Sequence, residues 1–449
     1  MTRGECVASS LRLPTDGERS AVRSQRHAAQ VRLLPRRTRD GRASLLGIAL
    51  PFLTGGLFFV NNFPGVEAGV LAMLLFNFIF GSHSVHLRQS WSILIPVLLL
   101  MVTGLAGNLM SPSGDYVSVA SFLAKFFVFF GIVFANLGRG QIRALLYGYI
   151  VGAAVSSVLM ALNLTGYIDI NPSDREIEIR QSAFMGDPNI VASFLVFALM
   201  LAHQFLMRDA FPAFGRWGAL LRWTILSVIF LGILLSFSRA AWINLAISVT
   251  LYVFLMRSGR KRERKSVLPA AAFLVAAVLA VVTLRSFTPI LDPFFDRFDP
   301  GLVSEATDMR VRTQSQVFDE IVGSSALVLI FGHGSLSSSG VTGMNPHLTL
   351  YQVMYELGLM AVMLILICAI ATLRRALRFA DSEPAILAVL FPCFVGLVVN
   401  SLAVDTFYWR LPWLMMALVA IVTVSSRLPV GLAQTAVARP VPNDLRQRT

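Results

Sequence analysis

Apolar segments long enough to cross a bilayer recur along most of this 449-residue chain. A transmembrane helix needs about 20 predominantly apolar residues, within a range of about 17–25. About twelve such segments occur, at residues 44–60, 66–82, 91–110, 117–137, 143–164, 190–207, 220–237, 240–256, 266–285, 348–373, 384–404 and 408–426. Only 14% of the residues are charged, against about 25% in an average soluble domain. The sequence therefore predicts an all-α, polytopic membrane helical bundle of about 12 transmembrane helices.

One connection in this predicted bundle is much longer than the others. Helix–helix connections usually take about 2–8 residues, but residues 286–347 form a polar loop between the ninth and tenth segments. Long loops that a rigid scaffold holds in place often carry binding and catalytic residues. The remaining parts are a basic tail at 1–43, helices one to nine at 44–285, helices ten to twelve at 348–426, and a second tail at 427–449. The first tail is expected to be mostly disordered and to contact membrane lipids.

The net charge of +13 is distributed in a way that indicates membrane orientation rather than nucleic-acid binding. Basic clusters fall on alternate connections: the amino-terminal tail, Arg88, Arg139/Arg143, Arg208/Arg216/Arg222, residues 257–265, and Arg374/Arg375/Arg378. Most acidic residues fall on the other connections. Basic connections stay on the cytoplasmic side of a membrane. This pattern predicts that both termini are cytoplasmic and that the loop at 286–347 is extracytoplasmic.

Several common kinds of site are not expected in this chain. Its three cysteines, Cys6, Cys368 and Cys393, suggest neither a disulfide framework nor a zinc site. The sequence has no internal repeat, no Walker motif and no glycine-rich nucleotide loop. We therefore expect no cofactor, no bound metal and no ATP hydrolysis.

His347 is the candidate proton acceptor, because it stands where the chain re-enters the membrane after the long loop. An imidazole with an ordinary pKa near 6.5 can take a proton from a hydroxyl group near neutral pH. The alternative is that His347 caps the helix at the membrane interface. The preceding Asn345-Pro346 favours an extended approach followed by a helix start.

Three arginines are candidates for binding phosphate groups, because a guanidinium offers a planar fork of donors and stays charged. Arg310 and Arg312 lie within the long loop, where they could instead be solvated partners of Glu305 or Asp308. Arg239 lies between two apolar segments with almost no loop between them. A charge near membrane depth usually faces a partner or a polar cavity, although Arg239 could also snorkel to the surface.

Another extracytoplasmic connection, at 165–189, carries Arg175 and Arg180. It ends in Gly-Asp-Pro-Asn at 186–189, which predicts a turn and a helix cap. Within the apolar segments, Lys125 either lines a cavity or snorkels to the surface. His203 is expected to be a core residue.

The order of these motifs resembles that of the O-antigen ligase and polymerase superfamily of bacterial envelope membrane proteins. The resemblance covers roughly residues 180–425. Its elements are Gly-Asp-Pro-Asn at 186–189, Ser238-Arg239, the Arg310 segment, Phe-Gly-His-Gly at 331–334, and the run from His347 to Glu356-Leu-Gly-Leu.

The chain departs from the family pattern at two places. Leu348 stands where family members usually have Asn, and Gln314 stands where an aromatic residue commonly follows the loop arginine by four positions. Arg312 is the alternative equivalent of that arginine, with Gln316 then at the aromatic position. We prefer Arg310, because Val317, Phe318 and Ile321 then fall on the expected apolar face.

The resemblance implies glycosyl transfer outside the membrane from an undecaprenyl-diphosphate-linked glycan. By this resemblance Arg310 and His347 are catalytic, with His347 as the base, and Arg239, Arg312 and Arg180 are candidates for binding the diphosphate. Such chemistry needs no metal, since arginines can neutralise the leaving group. Glu356 lies about two and a half turns beyond His347 if the helix is continuous, so it is expected to be structural.

The leading hypothesis is a polymerase that joins lipid-linked repeat units into an exopolysaccharide or O-antigen. A ligase that transfers finished glycan to lipid A-core or another acceptor would use the same donor. Transport of a lipid-linked glycan, or a non-catalytic role in the envelope, are alternatives of a different class. In each case the expected location is the bacterial inner (plasma) membrane.

Overall fold

The computed structural model describes the greater part of the predicted bundle. The described residues are 41–60, 64–80, 90–111, 116–168, 183–185, 187–209, 215–258, 299–335, 337–338, 348–378 and 384–425. Several predictions lie outside them: most of both tails, the ninth apolar segment at 266–285, and the candidate residues Arg175, Arg180 and His347.

The described residues form thirteen α-helices and one short 3-10 helix, Ala183–Met185, and they contain no strand. The helices are α1 (Gly41–Leu57), α2 (Gly65–Phe80), α3 (Trp91–Met110), α4 (Tyr116–Phe134), α5 (Arg139–Leu164), α6 (Pro188–Asp209), α7 (Gly215–Leu235), α8 (Arg239–Ser258), α9 (Pro300–Gly323), α10 (Ala326–Phe331), α11 (Thr349–Arg378), α12 (Pro384–Asn400) and α13 (Arg410–Ser425). The all-α prediction is confirmed for this part of the chain.

Five of these helices, α3, α5, α6, α7 and α11, are long and apolar enough to cross a membrane. Six more, α1, α2, α4, α8, α12 and α13, are apolar but shorter. Many of their large apolar side chains are exposed, as expected for surfaces that contact lipid tails. The chain is therefore a helical membrane protein, and the total of about twelve spanning helices stays a prediction.

Helix pairing defines two ends of the bundle. Gly396 of α12 packs beside Asn244 and Ser248 of α8, and Ser248 donates a hydrogen bond to the carbonyl of Pro392, so these two helices are antiparallel. Ser401, which follows α12, accepts a hydrogen bond from the amide of Thr349. The end where α6, α8, α11 and α13 begin and α12 ends is called the network end.

The opposite end, where α5 and α7 begin and α11 and α13 end, is called the basic end. Its helix termini are joined by polar contacts. Arg222 donates hydrogen bonds to the carbonyls of Gly218 and Leu206. Arg375 donates to the hydroxyl of Thr423. Five other arginines of the predicted cytoplasmic clusters also belong to helix termini at this end: Arg139, Arg143, Arg374, Arg378 and Arg257.

The region predicted as a loop is helical over much of its described part. Helix α9 is amphipathic: Val317 and Ile321 are buried against Tyr355 of α11. Phe318, expected on the same face, lies at its edge; it is 47% exposed and meets Tyr351 with ring centroids 6.3 Å apart. Spacings of three, four and seven residues place side chains on one helix face. Helix α9 therefore packs on the bundle through one apolar face.

Helix α11 is interrupted at Gly358, two residues beyond Glu356. Gly358 has φ 81° and ψ 175°, which breaks the helix into two parts. The break leaves the carbonyls of Tyr355 and Glu356 without their usual helical partners. They accept hydrogen bonds instead from the amides of His333 (2.9 Å) and Gly334 (2.8 Å). Glycine suits this position because a side chain is disfavoured at positive φ and because Ile330 packs directly against it.

Candidate polar site at the network end

Glu356 is the centre of a buried polar network. It is 1% exposed, and its two carboxylate oxygens accept hydrogen bonds from three side chains. Ser338 (2.5 Å) and Gln352 (3.3 Å) donate to Oε1, and Tyr408 (2.5 Å) donates to Oε2. A buried carboxylate needs such donors, because removing its charge from water is costly. The network joins the first part of α11 to the segment after α10 and to the turn before α13.

Asp405 adds a second carboxylate beside this network. It is partly exposed, and it accepts hydrogen bonds from the amide of Phe407 (3.1 Å) and from Gln352. Burial raises the pKa of Asp405 to about 7, and the carboxylates of Glu356 and Asp187 act in the same direction. The two hydrogen bonds oppose this change in pKa without cancelling it. Two other carboxylates at the network end therefore raise the pKa of Asp405.

The starts of α6 and α8 are joined by a second set of hydrogen bonds. Asp187 accepts from the amide of Asn189 (2.6 Å), and Pro188 takes the first helical position, so the predicted helix cap is confirmed, while Gly186 of the predicted turn lies outside the described residues. Ser238 donates to the side-chain oxygen of Asn189 (2.8 Å). Asn400, at the end of α12, donates to Ser193 (2.8 Å). Asn189 therefore links the start of α6 to the start of α8.

Arg239 is the first residue of α8 and is half-buried. The tight turn before it is made possible by Phe237, whose φ of 49° is in the left-handed region. The neighbouring Ser238 is buried, and it ties this turn to Asn189. Arg239 thus lies at the network end, on the side of the bundle where the sequence predicts a shared site.

Arg310 and Arg312 lie on different faces of α9. Arg310 is half-buried and Arg312 is exposed. Arg310 precedes the buried Val317 by seven residues, or two helical turns, so the two share the face that packs on the bundle. Arg312 is two residues further along and points away, because each residue turns the helix by about 100°. The structure thus gives a physical basis for the preference for Arg310.

His333, within the Phe-Gly-His-Gly motif, lies at the edge of the site. Its ring stacks on Tyr355, with centroids 4.2 Å apart and planes inclined by 18°. Its Nε2 atom is 3.0 Å from the hydroxyl of Ser324. Burial lowers the pKa of His333, while the carboxylate of Glu320 acts in the opposite direction. The next residues are fixed by Asn108 of α3, whose side chain bonds both the amide and the hydroxyl of Ser335, each at 2.8 Å.

Two buried acceptors at this end lack a hydrogen-bond partner among the described residues. They are Oε1 of Gln352, which is 0% exposed, and Oδ1 of Asn400, which is 2% exposed. Buried polar atoms in native proteins are nearly always paired. Their position beside the carboxylates of Glu356 and Asp405 makes the network end rich in acceptors.

Lys125 and His203, the remaining polar candidates within the apolar segments, make other contacts. Lys125 is half-buried and close enough to Arg410 and Glu67 to interact electrostatically with both. Arg410, 6% exposed, binds Glu67 through two hydrogen bonds of 2.9 and 3.0 Å. Lys125 therefore lies beside an ion pair inside the bundle. His203 is buried, as expected, with Nδ1 3.3 Å from the hydroxyl of Tyr252.

The structure brings Arg239 and the Arg310 face of α9 to the network end, while Arg180 and His347 lie outside the described residues. The assignment of His347 as the base stays a prediction. Sequence reasoning missed Gln352, Asp405 and Tyr408. The four-residue spacing of Gln352 and Glu356 was the one sequence feature that could have indicated this contact, because residues four apart share a helix face. The other two come from a turn about 50 residues away.

The comparisons with known proteins found no match: no protein-family model matches the chain, and no curated protein matches its sequence. Within the described residues, no group of three or more His, Cys, Asp or Glu side chains could hold a metal ion.

Proposed function

We propose that this protein is a glycosyltransferase that polymerises undecaprenyl-diphosphate-linked repeat units of an exopolysaccharide or O-antigen. The observation that carries the proposal is the position of two arginines. Arg239 and the Arg310 face of α9 lie at the end of the bundle that holds the polar network, opposite the end that holds the basic clusters. A diphosphate leaving group requires fixed cations of this kind.

The proposed orientation follows from the same separation of charge. Basic connections stay on the cytoplasmic side, so the basic end faces the cytoplasm and the network end faces outward. Both termini are then cytoplasmic, and the protein spans the bacterial inner membrane many times. A lipid-linked glycan presents its diphosphate at the membrane surface, which is the level of a helix terminus such as that of Arg239.

In the proposed reaction, an acceptor sugar hydroxyl attacks the anomeric carbon of the donor glycan. The new glycosidic bond forms as the bond to the lipid diphosphate breaks, and the diphosphate leaves with the electron pair. Arg239 and Arg310 bind its oxygens and stabilise the increasing negative charge. His347 takes the proton of the attacking hydroxyl. Arg180 is a further candidate cation. The Glu356 network holds the first part of α11, which begins two residues after His347.

The test is an assay of the purified protein with lipid-linked repeat units, in which lengthened products are separated as a ladder. We expect Arg239→Ala and Arg310→Ala each to lower the rate by about 100–1,000-fold, as for the loss of one charge-stabilising donor. His347→Ala should abolish product. Arg312→Ala is the matched control, because it removes the same side chain from the exposed face of the same helix.

Three results would count against parts of this proposal. If Arg312→Ala is inactive and Arg310→Ala active, the loop arginine has been assigned wrongly. If product forms on lipid A-core and not on repeat units, the protein is a ligase. If none of the arginine and histidine variants changes the yield, these residues do not perform the reaction.

A second candidate function, transport of a lipid-linked glycan, is favoured by one observation. The break of α11 at Gly358 lies next to buried polar side chains, and transporter sites are often built at interrupted helices. Reconstituted vesicles distinguish the two functions. Movement of the labelled glycolipid across the bilayer without new glycosidic bonds would support transport, and bond formation without movement would support transfer.

A further inference from the structure

A cavity lies between α3, α11, α12 and α13, and none of the described residues that line it is charged. Its volume is about 90 Å³, several times the roughly 10–15 Å³ that one water molecule needs. Most of its walls are aliphatic or aromatic, with Leu100, Ile365, Leu397, Trp413 and Met416 among them. Apolar cavities of this kind stay dry and bind apolar molecules. The cavity therefore suits a hydrocarbon group.

The hydroxyl-bearing residues of the lining are gathered at the network end. They are Thr349, Ser401 and Thr406, and their polar groups already bond within the protein. Thr349 accepts a hydrogen bond from the amide of Thr406 (2.9 Å), and the hydroxyl of Ser401 donates to the carbonyl of Val398 (2.6 Å). From Ser401 the cavity extends along α12 to Phe394, seven residues or about 10 Å toward the middle of the bundle. This is the direction that a lipid chain takes in a membrane.

The cavity reaches the outer surface of the bundle at α12. Val398 lines the cavity and is 38% exposed, and Leu402, one turn further on, is 63% exposed. Exposed apolar side chains of a membrane helix contact lipid tails, because the hydrocarbon core offers them no other solvent. A chain from the surrounding bilayer can therefore enter the cavity from the side.

The cavity is separate from the arginines of the proposed reaction. Gly396 of α12 packs on Asn244 and Ser248 of α8. Val398 is two residues beyond Gly396, so it lies about 200° further round the helix. The cavity and α8, which begins with Arg239, thus lie on opposite sides of α12. The bound group is therefore a chain of the surrounding lipid, and the inference does not depend on the proposed glycosyl transfer.

We propose that one acyl chain of a membrane phospholipid occupies this cavity and stabilises the contact between the start of α11 and residues 401–406. The headgroup stays at the membrane surface, since no charged side chain of the described part lines the cavity. The chain supplies the packing contacts that the walls of an empty cavity lack. Thr349 and Thr406 line the cavity and bond to each other, so its occupant supports the segment that begins two residues after His347.

The first test uses the fluorescence of Trp413, which lines the cavity and is 2% exposed. The purified protein in detergent is mixed with phosphatidylethanolamine whose acyl chains are brominated, because bromine quenches tryptophan fluorescence on contact. We expect wild type to lose a fluorescence component that Trp413→Phe does not lose, since a lipid that stays outside cannot reach this buried ring. Equal quenching of the two proteins would overturn the proposal.

Competition identifies the kind of chain. Phosphatidylethanolamine without bromine should restore the fluorescence of Trp413, whereas undecaprenyl phosphate at the same concentration should leave it quenched. Restoration by undecaprenyl phosphate alone would show that the cavity binds an isoprenoid chain, and the assignment to a phospholipid would be wrong.

The second test fills the cavity. Ala369→Leu adds a larger side chain to its wall, and Ala371→Leu is the matched control on the same helix, half-buried but outside the lining. Added phosphatidylethanolamine should raise the unfolding midpoint of delipidated wild type and of the control, because a ligand of the folded state stabilises it. Ala369→Leu should lose this rise. A full rise in Ala369→Leu would refute the site, and the fluorescence test stands whether or not this variant folds.

Discussion

The two ends of the bundle satisfy their polar groups in different ways. At the basic end, Arg222 and Arg375 bond to carbonyls and a hydroxyl at helix termini. At the network end, by contrast, carboxylates lie inside the protein, and two amide oxygens remain unpaired among the described residues. Cations near the carboxyl ends of helices are favourable and mainly structural. Buried acids beside unpaired acceptors are costly, and costly arrangements are more often kept for function.

The largest expected effect distinguishes the arginines of the two ends. Arg410→Ala removes two hydrogen bonds to the half-buried carboxylate of Glu67, which should lower the free energy of unfolding by about 2–3 kcal/mol. Arg222→Ala removes only hydrogen bonds to two carbonyls and should cost about 1–2 kcal/mol. Unfolding in mixed detergent micelles measures both. Equal losses would show that the two ends are fastened in the same way.

The second prediction concerns the break in α11. Gly358→Ala places a side chain at positive φ against the backbone of Ile330, and should cost at least about 1–3 kcal/mol. Gly140→Ala, near the start of α5, is the matched control, because no atom lies within 4 Å of the added carbon. That control should be neutral or gain up to about 1 kcal/mol. A neutral Gly358→Ala would mean that α11 can become continuous.

The third prediction compares two amide side chains that join helices. Asn108→Ala leaves the buried amide and hydroxyl of Ser335 without their partner, and should cost about 1–2 kcal/mol. Gln141→Ala, at the basic end, breaks bonds to Asn77 and to the carbonyl of Gly47, but it acts at a half-buried site and should cost about 1 kcal/mol or less. The same unfolding measurement applies, and a reversed order would contradict the contrast between the ends.

The smallest effect is expected from His333 and depends on pH. Burial lowers the pKa of His333, so the folded state binds a proton less readily than the unfolded chain. Stability therefore falls as the pH is lowered past the ordinary histidine pKa of 6.5. His333→Phe keeps a ring against Tyr355 and should remove this loss. Unfolding midpoints of both proteins across that range test the assignment, and an unchanged pH dependence would contradict it.

Helix bounds were predicted well from the sequence where polar, capping or turn residues mark the end of an apolar segment. The segment at 91–110 has the same bounds as α3, and Asp187-Pro188 marks the start of α6. It did not predict the break in α11, because a glycine within an apolar run is also compatible with a continuous helix. The role of Glu356 could not be predicted either. Ser338 and Tyr408 reach it from 18 and 52 residues away, and only the folded chain brings them together.

The interruption at Gly358 also has a consequence for biosynthesis. Two carbonyls beside this interruption, those of Tyr355 and Glu356, are paired with the amides of His333 and Gly334 from an earlier part of the chain. Such groups cannot stay unpaired within a bilayer. Residues 332–334 are synthesised before α11, so these two hydrogen bonds can form only after α11 has been made. We therefore expect the Phe-Gly-His-Gly segment to reach its final position late in the assembly of the bundle.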